Sequence, residues 1–127
     1  MIGRRHHIVI DGPDPLTLAA FYSELVGLPI TYRSEDWVVI SESDEASGFA
    51  FQRAVDHRPP RWPDPSHPQQ FHIDVMVDDL AEGEVRVLAL GAKRLSHGDH
   101  VFSDPAGHPF CLIRRPEWAP PIRSGDS

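Results

Sequence analysis

The stretch HIVIDGPD at residues 7–14 recurs in outline 65 residues later as HIDVMVDD at residues 72–79. In each copy a histidine opens a short apolar run, and an aspartate (Asp14 or Asp79) follows seven residues after that histidine. Short runs of β-branched residues predict strands, and an aspartate ahead of a periodic apolar segment predicts a helix N-cap. We therefore predict that a strand followed by a helix occurs twice in this chain.

Each predicted helix has one apolar side and ends at a glycine. In the first helix, apolar side chains recur at spacings of three and four residues between Leu18 and Leu25, and Gly27 ends it. The second helix follows Asp79, has Val85, Leu88 and Ala89 on its apolar side, and is stopped by Gly91. The helix-ending glycines thus keep nearly the same spacing as the histidines and aspartates, which supports an internal repeat.

Further strands are expected around these helices, from runs of β-branched and aromatic residues. The predicted strands are His6–Asp11, Ile30–Arg33, Trp37–Ser41, Phe49–Arg53, Phe71–Val77, Lys93–Leu95, His100–Phe102 and Phe110–Arg114. Both halves then have the order β-α-β-β-β, which predicts an α+β fold in a single domain at 1–127. We expect module one at 1–57, a proline-rich connector at 58–70, module two at 71–115 and a tail at 116–127.

The segment from Asp104 to Gly107 predicts a tight turn rather than a site. Proline at its second position and glycine at its fourth favour a type I turn, with the Asp104 side chain bonded to the backbone. His108 follows this turn and is expected to help it close.

Composition excludes several classes of function. The net charge of −7, from 12 basic and 19 acidic residues, argues against a nucleic-acid-binding protein. No segment has the length of a membrane span, so no membrane partner is expected. Cys111 is the one cysteine, so no internal disulfide is possible, and we predict a cytoplasmic protein.

Several motifs together resemble those of a known superfamily. They are HIVIDGPDP at 7–15, FYSELVG at 21–27, FHIDVMVDDL at 71–80, LGA at 90–92 and DPAGHPFCL at 104–112. The chain resembles the vicinal oxygen chelate superfamily, which includes glyoxalases, bleomycin-resistance proteins and extradiol dioxygenases. WPDP at 62–65 and HPFC at 108–111 look like a bacterial glyoxalase-like subgroup.

This resemblance implies a fold and a set of metal ligands. Two tandem βαβββ modules would form a curled eight-stranded mixed sheet around a cup-shaped pocket. The ligand positions of the superfamily, on the first and last strands of each module, match His7, Gln52, His72 and Cys111. Many metal-dependent members have glutamate at one or both of the last-strand positions, whereas this chain has neither.

Side-chain alternation independently puts His7, His72 and Asp74 on the faces opposite the helices. Imidazoles suit zinc, iron, nickel or copper, and a thiolate favours zinc. The predicted cofactor is a divalent metal (zinc, iron, nickel or manganese), with a metal-free site as the alternative. Asp74 is the candidate catalytic residue, acting as a general base, although it would serve equally as a carboxylate ligand or a polar wall residue.

Other interpretations of the same residues stay open at this stage. The two histidines would hydrogen-bond within a polar cup if no metal binds, and Cys111 would be a small packing residue. Trp37, Trp62 and Met76 are the predicted lining of a substrate pocket. The connector is either a lid that brings Trp62 to a ligand or a crossover that packs this tryptophan against the domain.

Two functions follow as hypotheses, and a ligand-sensing or purely structural role stays open as a third option. The first is a metal-assisted lyase, isomerase or dioxygenase that acts on a small oxygen-rich molecule. The second is a metal-free protein that binds and sequesters a small molecule or drug, for which the acidic balance would suit a cationic ligand. In either case the partner is a small molecule, and the resemblance implies a homodimer.

Overall fold

The computed structural model describes residues 1–96 and 98–122, which belong to two compact units, Met1–His57 and the residues from Arg58 onward. The described residues form two helices and eight strands, so the α+β class and the repeated β-α-β-β-β order are confirmed. No helix among them is long and apolar enough to span a bilayer. The elements are β1 (Ile8–Gly12), α1 (Pro15–Val26), β2 (Ile30–Arg33), β3 (Trp37–Ile40), β4 (Phe49–Arg53), β5 (Ile73–Val77), α2 (Leu80–Ala89), β6 (Lys93–Arg94), β7 (Val101–Ser103) and β8 (Pro109–Arg114).

In the first unit, α1 has the caps that the sequence predicts. The carboxylate of Asp14 accepts hydrogen bonds from the backbone N–H (3.2 Å) and the hydroxyl (2.7 Å) of Thr17. At the other end, Gly27 has a φ of 71°, and its N–H donates to the carbonyl of Ser23 at 2.9 Å. Glycine adopts this left-handed conformation at little cost, so the helix ends there.

The first sheet has the strand order β1-β4-β3-β2, with β1 parallel to β4 and the other pairs antiparallel. One face packs against α1, where the ring of Tyr22 stacks on the fully buried Phe51 at 5.5 Å. Neighbouring residues along a strand face opposite ways. The face away from α1 therefore carries Asp11, Gln52 and Trp37, which are register partners across three strands.

The second sheet repeats this arrangement in the order β5-β8-β7-β6, with β5 parallel to β8. The carboxylate of Asp79 accepts the N–H of Glu82 at 2.9 Å and caps α2, as predicted. A Cβ added at Gly83 of α2 would lie 3.2 Å from the Val77 side chain and 3.4 Å from that of Leu112. The helix α2 therefore covers the face of the second sheet that carries Val77 and Leu112.

Three predicted strands begin later than the sequence indicates: β1 starts at Ile8 rather than His6, β5 at Ile73 rather than Phe71, and β7 at Val101 rather than His100. The run His100–Phe102 is expected as a strand, whereas β7 covers Val101–Ser103. His100 has a φ of 60°, which lies in the left-handed region and is incompatible with an extended strand. The residue therefore belongs to the preceding loop.

The predicted turn after β7 is confirmed, and its aspartate is buried. The N–H of Gly107 donates to the carbonyl of Asp104 at 2.9 Å and closes the turn. The Asp104 carboxylate accepts the backbone N–H groups of Ala106 (2.8 Å) and His108 (3.0 Å) and lies 2.8 Å from Nδ1 of His108. These bonds fix the loop that leads into β8.

An ion cluster joins α2 to the strand β6. The guanidinium of Arg94 donates to both carboxylate oxygens of Glu84, at 2.9 and 3.0 Å, and Nδ1 of His100 lies 2.8 Å from one of these oxygens. The hydrogen bonds from Arg94, followed by that with His100, lower the pKa of Glu84 from its ordinary value of 4.5 to about 2. The carboxylate therefore favours the folded state while it is ionised.

This pKa shift predicts a pH-dependent contribution to stability. In the unfolded chain Glu84 gains its proton near pH 4.5, whereas in the folded unit it stays ionised down to about pH 2. Its contribution to the free energy of unfolding is therefore complete above the unfolded pKa and is lost as the pH falls through this window. Glu84→Gln should unfold at lower urea concentration than wild type at about pH 7, and the difference should shrink by about pH 3.

Glu24→Gln is the matched control, because Glu24 is an exposed glutamate on α1. It should leave the urea midpoint nearly unchanged at both pH values. Equal midpoints for wild type and Glu84→Gln at neutral pH would contradict a stabilising cluster.

Candidate metal centre

The parallel pairing of β5 and β8 brings two reactive side chains together. Their register sets Asp74 directly opposite Cys111, so the two side chains share one face of the second sheet. The close contact of Gly83 is with Val77 and Leu112, which occupy the alternate positions of these strands. Asp74 and Cys111 therefore lie on the face away from α2.

His72 completes a cluster on this face. It lies two residues before Asp74, and its Nε2 is 3.2 Å from Oδ1 of Asp74. One potential ligand atom from each of His72, Asp74 and Cys111 lies within 4.8 Å of the other two. In residues 1–96 and 98–122, this is the one group of three or more histidine, cysteine or acidic side chains with such spacing.

The environment of Cys111 keeps its thiol protonated. Burial raises the pKa of the thiol, and the charge of Asp74 and a hydrogen bond between the two groups raise it further. The cluster without a metal is thus a hydrogen-bonded group in which the thiol is a weak nucleophile. A bound cation would change this balance, because metal coordination deprotonates a thiol.

The residues fit a metal with a preference for nitrogen and sulfur ligands. Ligands at about 2.0–2.3 Å from a tetrahedral zinc ion lie roughly 3–4 Å apart, which agrees with the 3.2 Å between His72 and Asp74. Imidazole, carboxylate and thiolate are all ligands of zinc and iron, and three protein ligands leave a fourth position for water or substrate. The side chains of His72 and Asp74 are 33% and 52% exposed, so an ion has access to them.

Two of the predicted pocket residues border this cluster. The indole of Trp62, from the connector, stacks on the His72 imidazole with 5.5 Å between ring centroids and 21° between ring planes. Met76 lies two residues beyond Asp74 on β5, opposite Ile113 of β8. Both Met76 and Ile113 are 38% exposed, so they extend an apolar surface beside the three polar groups.

His7 lies in the first unit and has partners there. The backbone N–H of Gly48 donates to its Nδ1 at 3.1 Å, and its ring packs on that of His6 with 3.8 Å between centroids. Burial, then the charges of His6 and Arg5, lower the pKa of His7 and favour the neutral imidazole. Because Nδ1 accepts this hydrogen bond, the proton of the neutral ring is on Nε2, so a metal bond from His7 would require loss of the Gly48 hydrogen bond or a change of tautomer.

Strand register identifies the true counterparts of the second-unit cluster in the first unit. Ile8 pairs with Phe49 as Ile73 pairs with Phe110, so Val9 and Ala50 occupy the positions of Asp74 and Cys111. Gln52, the predicted counterpart of Cys111, lies two residues further along β4, opposite Asp11. Among the described residues, an acid directly opposite a thiol is thus present in the second sheet alone, and metal binding by His7 or Gln52 stays a prediction.

The third predicted pocket residue, Trp37, lines a hollow in the first unit. This concavity has a volume of about 520 Å³ and includes His6, His7, Tyr32, Trp37, Asp44 and Glu45 in its wall. Aromatic and carboxylate groups thus occur together around a space large enough for a small organic molecule.

The sequence missed two contacts of the candidate metal centre. Asp74 is expected to share a face with His72, but its pairing with Cys111 requires the register of strands 37 residues apart. The stack of Trp62 on His72 likewise depends on the path of an irregular connector. The HxD spacing at 72–74 and the cysteine in the final strand were the available signals.

The raised pKa of Cys111 predicts its reactivity. Wild-type protein should react slowly with iodoacetamide, because little thiolate is present at neutral pH. Asp74→Asn removes the negative charge beside the sulfur, so the midpoint of the pH–rate profile should move to lower pH. Cys111 is the sole cysteine, which makes the alkylation rate unambiguous.

Asp11→Asn, in an exposed position on β1, is the control and should leave the profile unchanged. If Asp74→Asn reacts with the wild-type profile, the carboxylate does not act on the thiol in solution.

Comparison with known proteins agrees with this architecture. Residues 7–113 match the profile of a family described as "Glyoxalase-like domain". No curated protein matches the chain significantly.

Solved structures of similar fold cover most of the chain. One is a glyoxalase-related enzyme from Fulvimarina pelagi, with a TM-score of 0.61, 18% identity, and 90% of this chain and 89% of that chain covered. Another is a glyoxalase/bleomycin resistance protein/dioxygenase family enzyme from Burkholderia phytofirmans PsJN (0.60, 15% identity, 84% and 94% covered). A bleomycin-binding protein complexed with bleomycin has a TM-score of 0.55 and 20% identity, with 90% and 100% covered.

At such low sequence identities, the solved structures establish only a shared fold. The family profile, in contrast, matches most of the sequence itself. With two β-α-β-β-β modules and this match over residues 7–113, the chain belongs to the glyoxalase-like domain family, within the vicinal oxygen chelate superfamily.

Proposed function

We propose that this chain is a metal-assisted enzyme, a lyase, isomerase or dioxygenase, that acts on a small oxygen-rich molecule. The observation that carries the proposal is the cluster of His72, Asp74 and Cys111, whose potential ligand atoms lie within 4.8 Å of one another. Structural metal sites are usually closed by four protein ligands, whereas a three-ligand site has room for a substrate. The exposure of His72 and Asp74 supports a three-ligand site that is open to a substrate.

A divalent metal bound at this cluster would act as a Lewis acid toward a substrate oxygen. His72 and Cys111 bind the ion in this proposal. Asp74 is either the third ligand or the general base that accepts a proton from the substrate. Met76 and Trp62 border the polar groups and supply apolar surface against which the carbon skeleton of a substrate packs.

His7 and Gln52 enter the proposal as further ligands from the first unit. The lowered pKa of His7 favours the neutral imidazole, and His7 would take this role once Nδ1 gives up the Gly48 hydrogen bond or the ring proton leaves Nε2. Assembly as a homodimer and a cytoplasmic location also stay predictions from the sequence.

Metal titration tests the proposal directly. Wild-type protein, stripped with chelator, should bind one Co²⁺ or Zn²⁺ per chain, and Co²⁺ should give a thiolate-to-metal charge-transfer band. His72→Ala and Cys111→Ser should each raise the dissociation constant by about 100-fold or more, because each removes a ligand. Asp74→Asn should weaken binding similarly if the carboxylate is a ligand, and leave it unchanged if Asp74 is the base.

His57→Ala is the matched control, since this histidine belongs neither to the cluster nor to the proposed first-unit ligands, and it should bind metal like wild type. His7→Ala tests whether the first unit contributes a ligand. Wild-type protein that retains no Co²⁺ or Zn²⁺ would refute the metal centre.

We infer metal-free binding of a small cationic molecule as the second candidate function. It is supported by the first-unit concavity, in which Tyr32 and Trp37 occur with Asp44 and Glu45. Aromatic faces and carboxylates together favour an organic cation. A structurally similar protein is a bleomycin-binding protein complexed with bleomycin, which suggests the ligand to try first.

Chelator-treated protein should then bind bleomycin, measured by calorimetry, with one ligand per concavity. Trp37→Ala should weaken binding about tenfold, because it removes an aromatic contact from the wall. The control is Trp118→Ala, since Trp118 is 81% exposed and does not line the concavity. Equal affinities of both variants and wild type would place the ligand elsewhere.

A further inference from the structure

The connector contains a loop that is closed by its own hydrogen bonds. The N–H of Arg61 donates to the carbonyl of His67 at 2.8 Å, and the N–H of His67 donates to the carbonyl of Asp64 at 3.1 Å. The Asp64 carboxylate also accepts the N–H of Ser66 at 2.8 Å. Trp62 lies within this loop, so the backbone that carries the indole has fixed partners on both sides.

Pro59, near the start of the connector, packs against the turn that precedes β8. A Cβ added at Gly107, where φ is 93°, would lie 2.5 Å from Cβ of Pro59. Only a glycine permits so close an approach of the two segments. Since buried Asp104 holds this turn, the turn also fixes where the connector begins.

The loop presents the indole of Trp62 to the face of the His72 imidazole. The separation of 5.5 Å and the angle of 21° are those of an offset stack. The contact is with the ring face, whereas Nε2 at the ring edge meets Asp74 at 3.2 Å. An indole on the face restricts rotation of the imidazole about its Cβ–Cγ bond but leaves the edge available.

We propose that Trp62 is a positioning residue for the metal centre: its stacked indole holds His72 with Nε2 directed at Asp74. This rests on the proposed metal-assisted function and deepens it. The connector thereby sets the metal affinity of the second unit without supplying a ligand. Supporting contacts that orient a ligating histidine commonly change metal affinity by about 10–100-fold.

A positioning role and a packing role of Trp62 predict different metal affinities when other side chains replace the indole. A flat ring keeps the stack, whereas a branched aliphatic side chain of comparable bulk fills space without it. Trp62→Phe should therefore bind Co²⁺ within about threefold of wild type, and Trp62→Leu should bind about tenfold more weakly or worse. The control is Trp118→Phe, because Trp118 is 81% exposed, and it should match wild type.

A spectroscopic signal gives a second readout. The chain has three tryptophans, so the double variant Trp37→Phe/Trp118→Phe leaves Trp62 as the sole indole. Co²⁺ bound by His72 would lie within several ångströms of this indole and should quench its fluorescence strongly, whereas Zn²⁺ should not. Urea unfolding of the metal-free Trp62→Phe and Trp62→Leu variants shows whether each is folded before titration.

The outcomes separate this proposal from the function on which it rests. Weaker Co²⁺ binding by Trp62→Leu, with recovery in Trp62→Phe and quenching of the single tryptophan, supports positioning. If folded Trp62→Leu binds Co²⁺ as tightly as wild type, positioning is refuted while the metal centre stands. If wild type binds no metal, the metal centre and the proposed role of Trp62 are refuted together.

Discussion

The parallel pairing of the first and last strands of a module is the constraint on which the site depends. In the second unit this pairing sets Asp74 opposite Cys111 and, through side-chain alternation, puts His72 on the same face. The helix that connects the first strand to the rest of the module covers the other face, as Gly83 shows by its close approach to the sheet. One face thus packs against the helix, and the other carries the candidate metal ligands.

The two modules use this common backbone differently. The positions of Asp74 and Cys111 are taken in the first module by Val9 and Ala50, which have neither charge nor ligand atoms. The first sheet instead has a hollow bordered by aromatic and acidic side chains. A repeated fold therefore does not require a repeated site, because the register fixes where side chains meet but not which side chains they are.

Much of the fold was accessible from local patterns. Helix caps at Asp14 and Asp79 and the glycine at position 27 act through neighbouring backbone groups, so their sequence signals were sufficient. The start of β7 was predicted wrongly, because nothing local indicates that His100 takes a left-handed conformation. Its contact with Glu84, 16 residues earlier, belongs to tertiary structure.

The sequence by itself determined the two-module α+β plan and the strand faces predicted for His7 and His72, since both follow from periodicity within a few consecutive residues. The tertiary structure alone decided that Asp74 meets Cys111, that Ala50 rather than Gln52 is the counterpart of that cysteine, and that Trp62 stacks on His72. These contacts depend on strand register and on the path of an irregular connector. Both are set by packing between segments far apart in the chain, which no local pattern records.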